Sequence, residues 1–217
     1  MINNMKITSE ETIANNFNAF FTNIGPTLAA KLNCAGKPSF SSYLGQNTQS
    51  EFSFTMIDSN DIRKIVNDFL PKTSTGHDRF SMKLLKRIIN KLADPLKLII
   101  NQSLSSGIFP ERLKIARVIP IFKKGDNTIL DNYRPISLLP CISKIYEKVV
   151  YKQLYKYFKD NNLLCKSQHG FRENHSTETA ALEFLDRISQ NLDSGKLTLS
   201  TFIDLSKAFD TLNHTIL

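Results

Sequence analysis

Residues 117–139 read RVIPIFKKGDNTILDNYRPISLL, and the texture of this stretch decides the kind of fold. RVIPIF is short, rich in β-branched residues and bounded by the basic, glycine-containing turn KKGD, the signature of a strand. A polar loop leads on to YRPISLL, a second strand candidate in which Pro135 argues for an edge or an irregular start. Two strands joined by a charged loop predict a ribbon. Helical spacing dominates on both sides of it, so the expected class is mixed α/β (α+β), helix-rich, with an incomplete sheet.

Upstream, Ile62, Ile65, Val66, Phe69 and Leu70 follow the three-four spacing of a helix that begins after Ser59 and stops at Pro71. The polar loop KTSTGHDRF separates it from a second helical face of Leu84, Leu85, Ile88, Ile89 and Leu92. Asp94 and Pro95 have the chemistry of an N-cap and a first turn, which predicts another helix ending near Ser106 and Gly107. Nearer the start, FNAFFTNIG is apolar and helix-like, and the polar run from Gly36 to Ser53 reads as a linker.

Downstream, Ile145, Tyr146, Val149, Leu154, Tyr157 and Phe158 again have helical spacing. Lys144, Lys148, Lys152 and Lys156 recur every fourth residue, along one slowly drifting stripe. SQHGFRENHST has the polarity of a loop. Ser176 suits the cap of a helix whose core face would carry Ala181, Leu185, Ile188 and Leu192, with Gly195 at its end. In LTLSTFID, Leu197, Leu199 and Ile203 alternate with Thr198, Ser200 and Asp204, which predicts a strand ending at Asp204.

The bulk properties narrow the partners. With 41% hydrophobic residues in 217, the chain can build a true core, and it has no 18-residue apolar stretch or signal-like start. Cys34, Cys141 and Cys165 lie far apart without CxxC spacing and read as reduced core thiols of an intracellular, not secreted, protein. Cys165 with His169 and His175 lacks a fourth ligand at zinc spacing. The net charge of +8 is concentrated: residues 112–172 carry 13 Lys or Arg against four acids, a local +9, and the rest sum to −1. Such a basic stretch is what a surface facing a polyanion needs, and nucleic acid is the leading partner; a solvated lysine-rich face is the alternative.

Four segments in order, ARVIPIFKKGD, NYRPISLLPCISKIYEKVV, QHGFRENHST and FIDLSKAFDTLNH, resemble the reverse transcriptases of non-LTR retrotransposons, most closely the jockey-like elements. FNAFFTNIG resembles the region joining endonuclease to polymerase in such elements, and NQSLSSGIFPERLK the helix and loop before the first strand. The resemblance implies a right-hand polymerase. Residues 1–55 would be an N-terminal helical stretch and linker, 56–111 a helical lead-in, 112–196 the fingers, and 197–217 the start of the palm. The implied partners are an RNA template, a DNA primer and deoxynucleoside triphosphates, in the nucleus or cytoplasm.

By the same resemblance Asp204 is the first catalytic carboxylate and a ligand of Mg²⁺, with the backbone carbonyl of Leu205 beside it. A pair of metals needs such bridging carboxylates, and Mg²⁺ takes hard oxygen ligands. Capping of the turn after the strand is the plain alternative for Asp204. Phe209 matches the position that excludes a 2′-hydroxyl, with a core ring as the alternative, and Asp210 reads as structural. Arg134, Lys123 and Lys124 match residues that fold over the triphosphate, where the planar fork of Arg holds two oxygens at once; for the two lysines a solvated turn is the alternative. Gly170 would let a strand approach closely, and Arg172 would either bind the template backbone or brace its loop. The stripe of Lys144, Lys148, Lys152 and Lys156 would track the template.

The chain departs from the family pattern in respects that bear on activity. It contains no second acidic motif of the Y-x-D-D type, and no endonuclease or thumb sequence. These 217 residues alone are expected not to turn over. A noncatalytic nucleic-acid-binding module, or a degenerate relic of the element, is the second reading.

Overall fold

The structure is a computed structural model describing residues 8–30, 50–205 and 208, which fall into two compact units, one within residues 1–156 and 209–217 and the other within 157–208. Most of the linker from Gly36, Cys34, and the candidate residues Phe209 and Asp210 lie outside the described residues. The observed mixture is the expected one, helix-rich with a small antiparallel sheet.

The core of the first unit is made by three helices: α2 (Ser59–Asp68), α3 (Met82–Ser106) and α5 (Cys141–Asp160). Helix α2 starts on a reciprocal cap. The Asp61 amide donates to Asp58 Oδ1 at 2.8 Å and the Asp58 amide to Asp61 Oδ2 at 3.1 Å, satisfying two otherwise orphaned donors. Its Ile62, Ile65 and Val66 are buried against Leu85, Ile89 and Ile100 of α3 and Ile145, Tyr146 and Val149 of α5 in one cluster. Burial pushes the Cys141 thiol up to about 11, the charge of Asp78 adding to it, so this cysteine stays protonated. Cys165 is not a core thiol: it is exposed, in the polar loop of the second unit.

The helix expected to restart at Pro95 does not exist as a separate element. Helix α3 runs unbroken from Met82 to Ser106 with Pro95 inside it. The reason is packing. Leu85, Ile89, Ala93, Leu96 and Ile100 form one buried stripe across the proline. An interior proline costs about 3 kcal/mol, and burying Leu96 and Ile100 alone returns about 1.5 to 3 kcal/mol each. Asp94 is not a cap; its carboxylate accepts the Ser59 hydroxyl and faces Lys97 at 3.8 Å. Gly107, at φ 69°, ends the helix in the left-handed region.

Two amides fasten the segment before α2 in a way the sequence reading missed. Ile57 exchanges two hydrogen bonds with the Asn101 side chain of α3, at 2.9 Å each. Thr55 does the same with Gln153 of α5, at 2.8 and 3.0 Å. Each side-chain amide pairs with both the N–H and the C=O of one residue, as a peptide group of a neighbouring strand would.

A short helix, α4 (Glu111–Lys114), leads into the ribbon of β1 (Arg117–Phe122) and β2 (Tyr133–Leu138). Both expected strands are present, paired antiparallel from Arg117 opposite Leu138 to Phe122 opposite Tyr133. The Lys123 amide donates to the Asn132 carbonyl at 2.8 Å, so counting back by two places Pro120 and Pro135, which face each other, at a non-hydrogen-bonded pair. Neither missing N–H is needed by the ladder. Helix α1 (Glu10–Ala29), capped by Ser9, reaches this ribbon through Phe17 and Tyr133.

The second unit holds the last residues of α5, a loop, helix α6 (Thr177–Asp193) and an extended segment. Ser176 caps α6 as expected, in a box with Thr179. Two expectations fail here. Ala181, Leu185 and Leu192 are exposed and Ile188 is half-buried, so no α6 residue is buried and the expected core face is open. Residues 197–204 form no strand: Leu197 is 99% and Leu199 95% exposed. A strand needs a neighbour's donors and acceptors, and no described residue pairs with this segment. The segment bends back on α6 instead, with Asn191 Nδ2 donating to Thr198 Oγ1 at 3.1 Å and Phe202 against Phe184 at 5.7 Å.

Candidate nucleic-acid interface

The tip of the ribbon is a built loop. Asp126 Oδ1 accepts from both the amide and the hydroxyl of Thr128 at 2.7 Å, which holds its carboxyl below the usual aspartate range. Asn132 Nδ2 donates to the Asp126 carbonyl and the Tyr133 hydroxyl to the Asn127 carbonyl, each at 2.8 Å. Gly125, at φ 91°, sits where a Cβ would come within 2.8 Å of Asn132. Lys123 and Lys124 are thus carried on a fixed backbone.

Arg134 is opposite Ile121, and side chains alternate along a strand, so it shares a face with Ile119, Ile121, Ile136 and Arg117. Arg117 was not singled out from the sequence. Counting by twos across the register is the signal that finds it. Phe122 and Tyr133 occupy the opposite face.

The lysine stripe is less uniform than its spacing. Lys144 and Lys148 are half-buried, Lys152 and Lys156 exposed. Lys148 lies over the Tyr151 ring, 4.7 Å from its centre, and Lys152 faces Asp68 of α2 at 3.7 Å. Glu147, an exposed residue, interrupts the basic helix; partial desolvation pushes its carboxyl up, and Lys144 pulls it the other way.

In the second unit, Arg172 spends one guanidinium nitrogen on its own loop, with the Cys165 carbonyl at 2.8 Å and that of Gln168 at 3.3 Å. Its Nε is buried without a hydrogen-bond partner. Bracing is therefore what this geometry provides. The flank of Gly170 is open, since a Cβ there would meet nothing within 4 Å. His169 ties the loop to α6 through Thr179 Oγ1 at 3.0 Å and Glu183 Oε2 at 2.9 Å, where a carboxylate can only accept, so Nε2 carries the proton.

Asp204 and Leu205 are exposed, on the segment without regular structure. Among the described residues no group of three or more His, Cys, Asp or Glu is placed to hold a metal, so the described residues do not by themselves fit a pair of Mg²⁺ ions. Nor is any described helix long and apolar enough to cross a membrane. The predicted site residues thus divide: Lys123, Lys124, Arg134 and the lysine stripe belong to the first unit, and Gly170, Arg172, Asp204 and Leu205 to the second.

The end of β1, all of β2, the lysine-bearing helix and the segment around Asp204 fall within residues 121–217, which match the family model described as reverse transcriptase (RNA-dependent DNA polymerase). These residues are similar to a reverse transcriptase domain. The likeness also reaches upstream of it, and the homologues are RNA-directed DNA polymerases of mobile elements. The chain is 27% identical over 173 residues to the RNA-directed DNA polymerase from mobile element jockey of Drosophila melanogaster, which covers 79% of this chain and 19% of that protein. It is 33% identical over 144 residues to the probable RNA-directed DNA polymerase from transposon BS of the same fly, covering 66% and 16%. The corresponding polymerase from transposon X-element is 26% identical over 172 residues, covering 79% and 19%. The chain therefore spans less than a fifth of these relatives' length.

Proposed function

We propose that this chain supplies the fingers and the first part of the palm of an RNA-directed DNA polymerase of a mobile element. The observation that supports the reading is the reverse transcriptase match over 121–217, which takes in the ribbon from Ile121 onward, the lysine-bearing helix and FIDLSKAFD. In this reading residues 1–55 are an N-terminal helical stretch and linker, 56–111 the lead-in, 112–196 the fingers and 197–217 the beginning of the palm. Arg134 holds triphosphate oxygens in its planar fork, and Lys123 and Lys124 add mobile charge at the tip. Lys144, Lys148, Lys152 and Lys156 follow the template phosphates, Gly170 leaves room for a strand, and Arg172 keeps that loop in shape. Asp204 and the carbonyl of Leu205 are ligands for Mg²⁺, and Phe209 checks the sugar.

A polypeptide that continues this chain into a complete polymerase should extend a DNA primer on an RNA template with Mg²⁺ and deoxynucleotides. Asp204→Ala should bring incorporation to background; undiminished incorporation would refute the assignment. Binding without extension in the complete polypeptide would favour the noncatalytic reading. The template track has its own test. Replacing all four stripe lysines with Gln should reduce the slope of log K against log salt by about 2 to 4, because each lost phosphate contact leaves about one counterion unreleased. An unchanged slope would make the stripe a solvated face.

A further inference from the structure

The β1–β2 ribbon contributes no residue to the buried core of its unit, and a two-stranded ribbon alone is marginal in water. Its root is supported by the loop after α2. A ring nitrogen of His77 lies 3.1 Å from the Ile115 carbonyl just before β1. Gly76 is packed so closely after β2 that a Cβ would come within 2.7 Å of the Pro140 nitrogen.

The far end has a different support. The Phe17 ring of α1 meets Tyr133 edge-on, with centres 4.9 Å apart and planes at 71°. Tyr133 packs on its cross-strand partner Phe122 at 5.4 Å, and its hydroxyl donates to the Asn127 carbonyl at 2.8 Å. One ring thus joins the helix, both strands and the tip loop. Because Tyr133 and Phe122 occupy the face opposite Arg134, α1 supports the ribbon from behind and leaves the Arg134 face uncovered by this contact.

We propose that α1 clamps the far end of the ribbon and that Phe17, acting through Tyr133, is a positioning residue for Arg134. Helix α1 lies outside the residues that match the family model. The clamp stands on geometry alone; what Arg134 is positioned for rests on the function proposed above.

In the 217-residue chain, Phe17→Ala should speed amide exchange at Lys123 and across 117–138 by roughly 3- to 10-fold, the worth of one aromatic pair. Amides of α2, α3 and α5 should exchange as before. Phe17→Tyr keeps the ring and should restore protection, whereas Tyr133→Leu should reproduce the loosening with Phe17 intact. Unchanged ribbon exchange in Phe17→Ala overturns the clamp. Loss of protection in all elements overturns it too, since α1 would then be part of the core. Binding of a fluorescent deoxynucleoside triphosphate separates the clamp from the role of Arg134: it should weaken in Phe17→Ala, recover in Phe17→Tyr and vanish in Arg134→Ala. Faster exchange with unweakened binding in Phe17→Ala overturns the positioning role. If Arg134→Ala binds like the unaltered chain while the exchange results hold, the triphosphate reading fails and the clamp stands.

Discussion

Helices α3 and α6 both carry apolar residues at three-four spacing and both begin on a serine cap, yet α3 buries six residues and α6 buries none. The difference lies in their neighbours. Helix α3 is met by α2 and α5, whose own stripes are long enough to close over Leu85, Ile89 and Ile100. Helix α6 is met within its unit by a hydrogen-bonded loop and by a segment whose Leu197 and Leu199 point into solvent. An apolar stripe states what a helix is able to bury. What it does bury depends on a second surface far away in sequence.

The largest expected effect tests this contrast directly. Leu85→Ala or Ile100→Ala should destabilise the first unit by about 2 to 5 kcal/mol in denaturant unfolding, because a cavity is left in closed packing. Leu185→Ala, at a site 57% exposed, should change stability by no more than about 0.5 kcal/mol. Similar costs at the two sites would mean that α6 is covered in solution.

Each unit also has a glycine that sharpens the comparison at smaller scale. A methyl at Gly76 would press on the backbone of Leu139 and Pro140, so Gly76→Ala should cost about 1 to 3 kcal/mol. At Gly170 it would meet open space, and Gly170→Ala should be neutral or stabilise by up to about 1 kcal/mol by restricting the unfolded chain. Reversal of that order would show that the two loops are packed the other way round.

The smallest effect is electrostatic. Partial desolvation raises the Glu147 carboxyl, so the folded chain holds that proton longer than the unfolded one. Its contribution to stability falls as pH rises from the ordinary glutamate value through the folded one. Glu178 is held down, chiefly by the Ser176 side chain, so its contribution is present above the ordinary value and is lost as pH falls through the folded one. Glu147→Gln should flatten the first slope of Tm against pH and Glu178→Gln the second. Equal behaviour of the two variants would remove desolvation as the distinction.

The elements legible in the sequence are those whose signal is local. The ribbon announced itself through β-branched runs around KKGD, and Ile62, Ile65 and Val66 through spacing, although the helix ends at Asp68 and leaves Phe69 and Leu70, expected within it, outside. Pro95 misled because its local preference for a first turn is weaker than a stripe continuing to Ile100. The amide clamps of Asn101 and Gln153 were not legible, since nothing nearby in sequence marks their partners Ile57 and Thr55. Of the candidate site, Arg134 could be placed on a face by counting, which also brings in Arg117. The bracing by Arg172 could not, because its partners are carbonyls that any residue possesses.

The facing prolines of the ribbon have a consequence for how molecules meet. At a non-hydrogen-bonded pair the amide hydrogens of a ribbon point outward, along its free edges. Pro120 and Pro135 have none, so the middle of each edge lacks a donor and presents a ring. A strand from another molecule laid along either edge would lose a rung there. The ribbon can therefore leave Ile121, Phe122 and Ile136 open to water without serving as a seed for fibre growth.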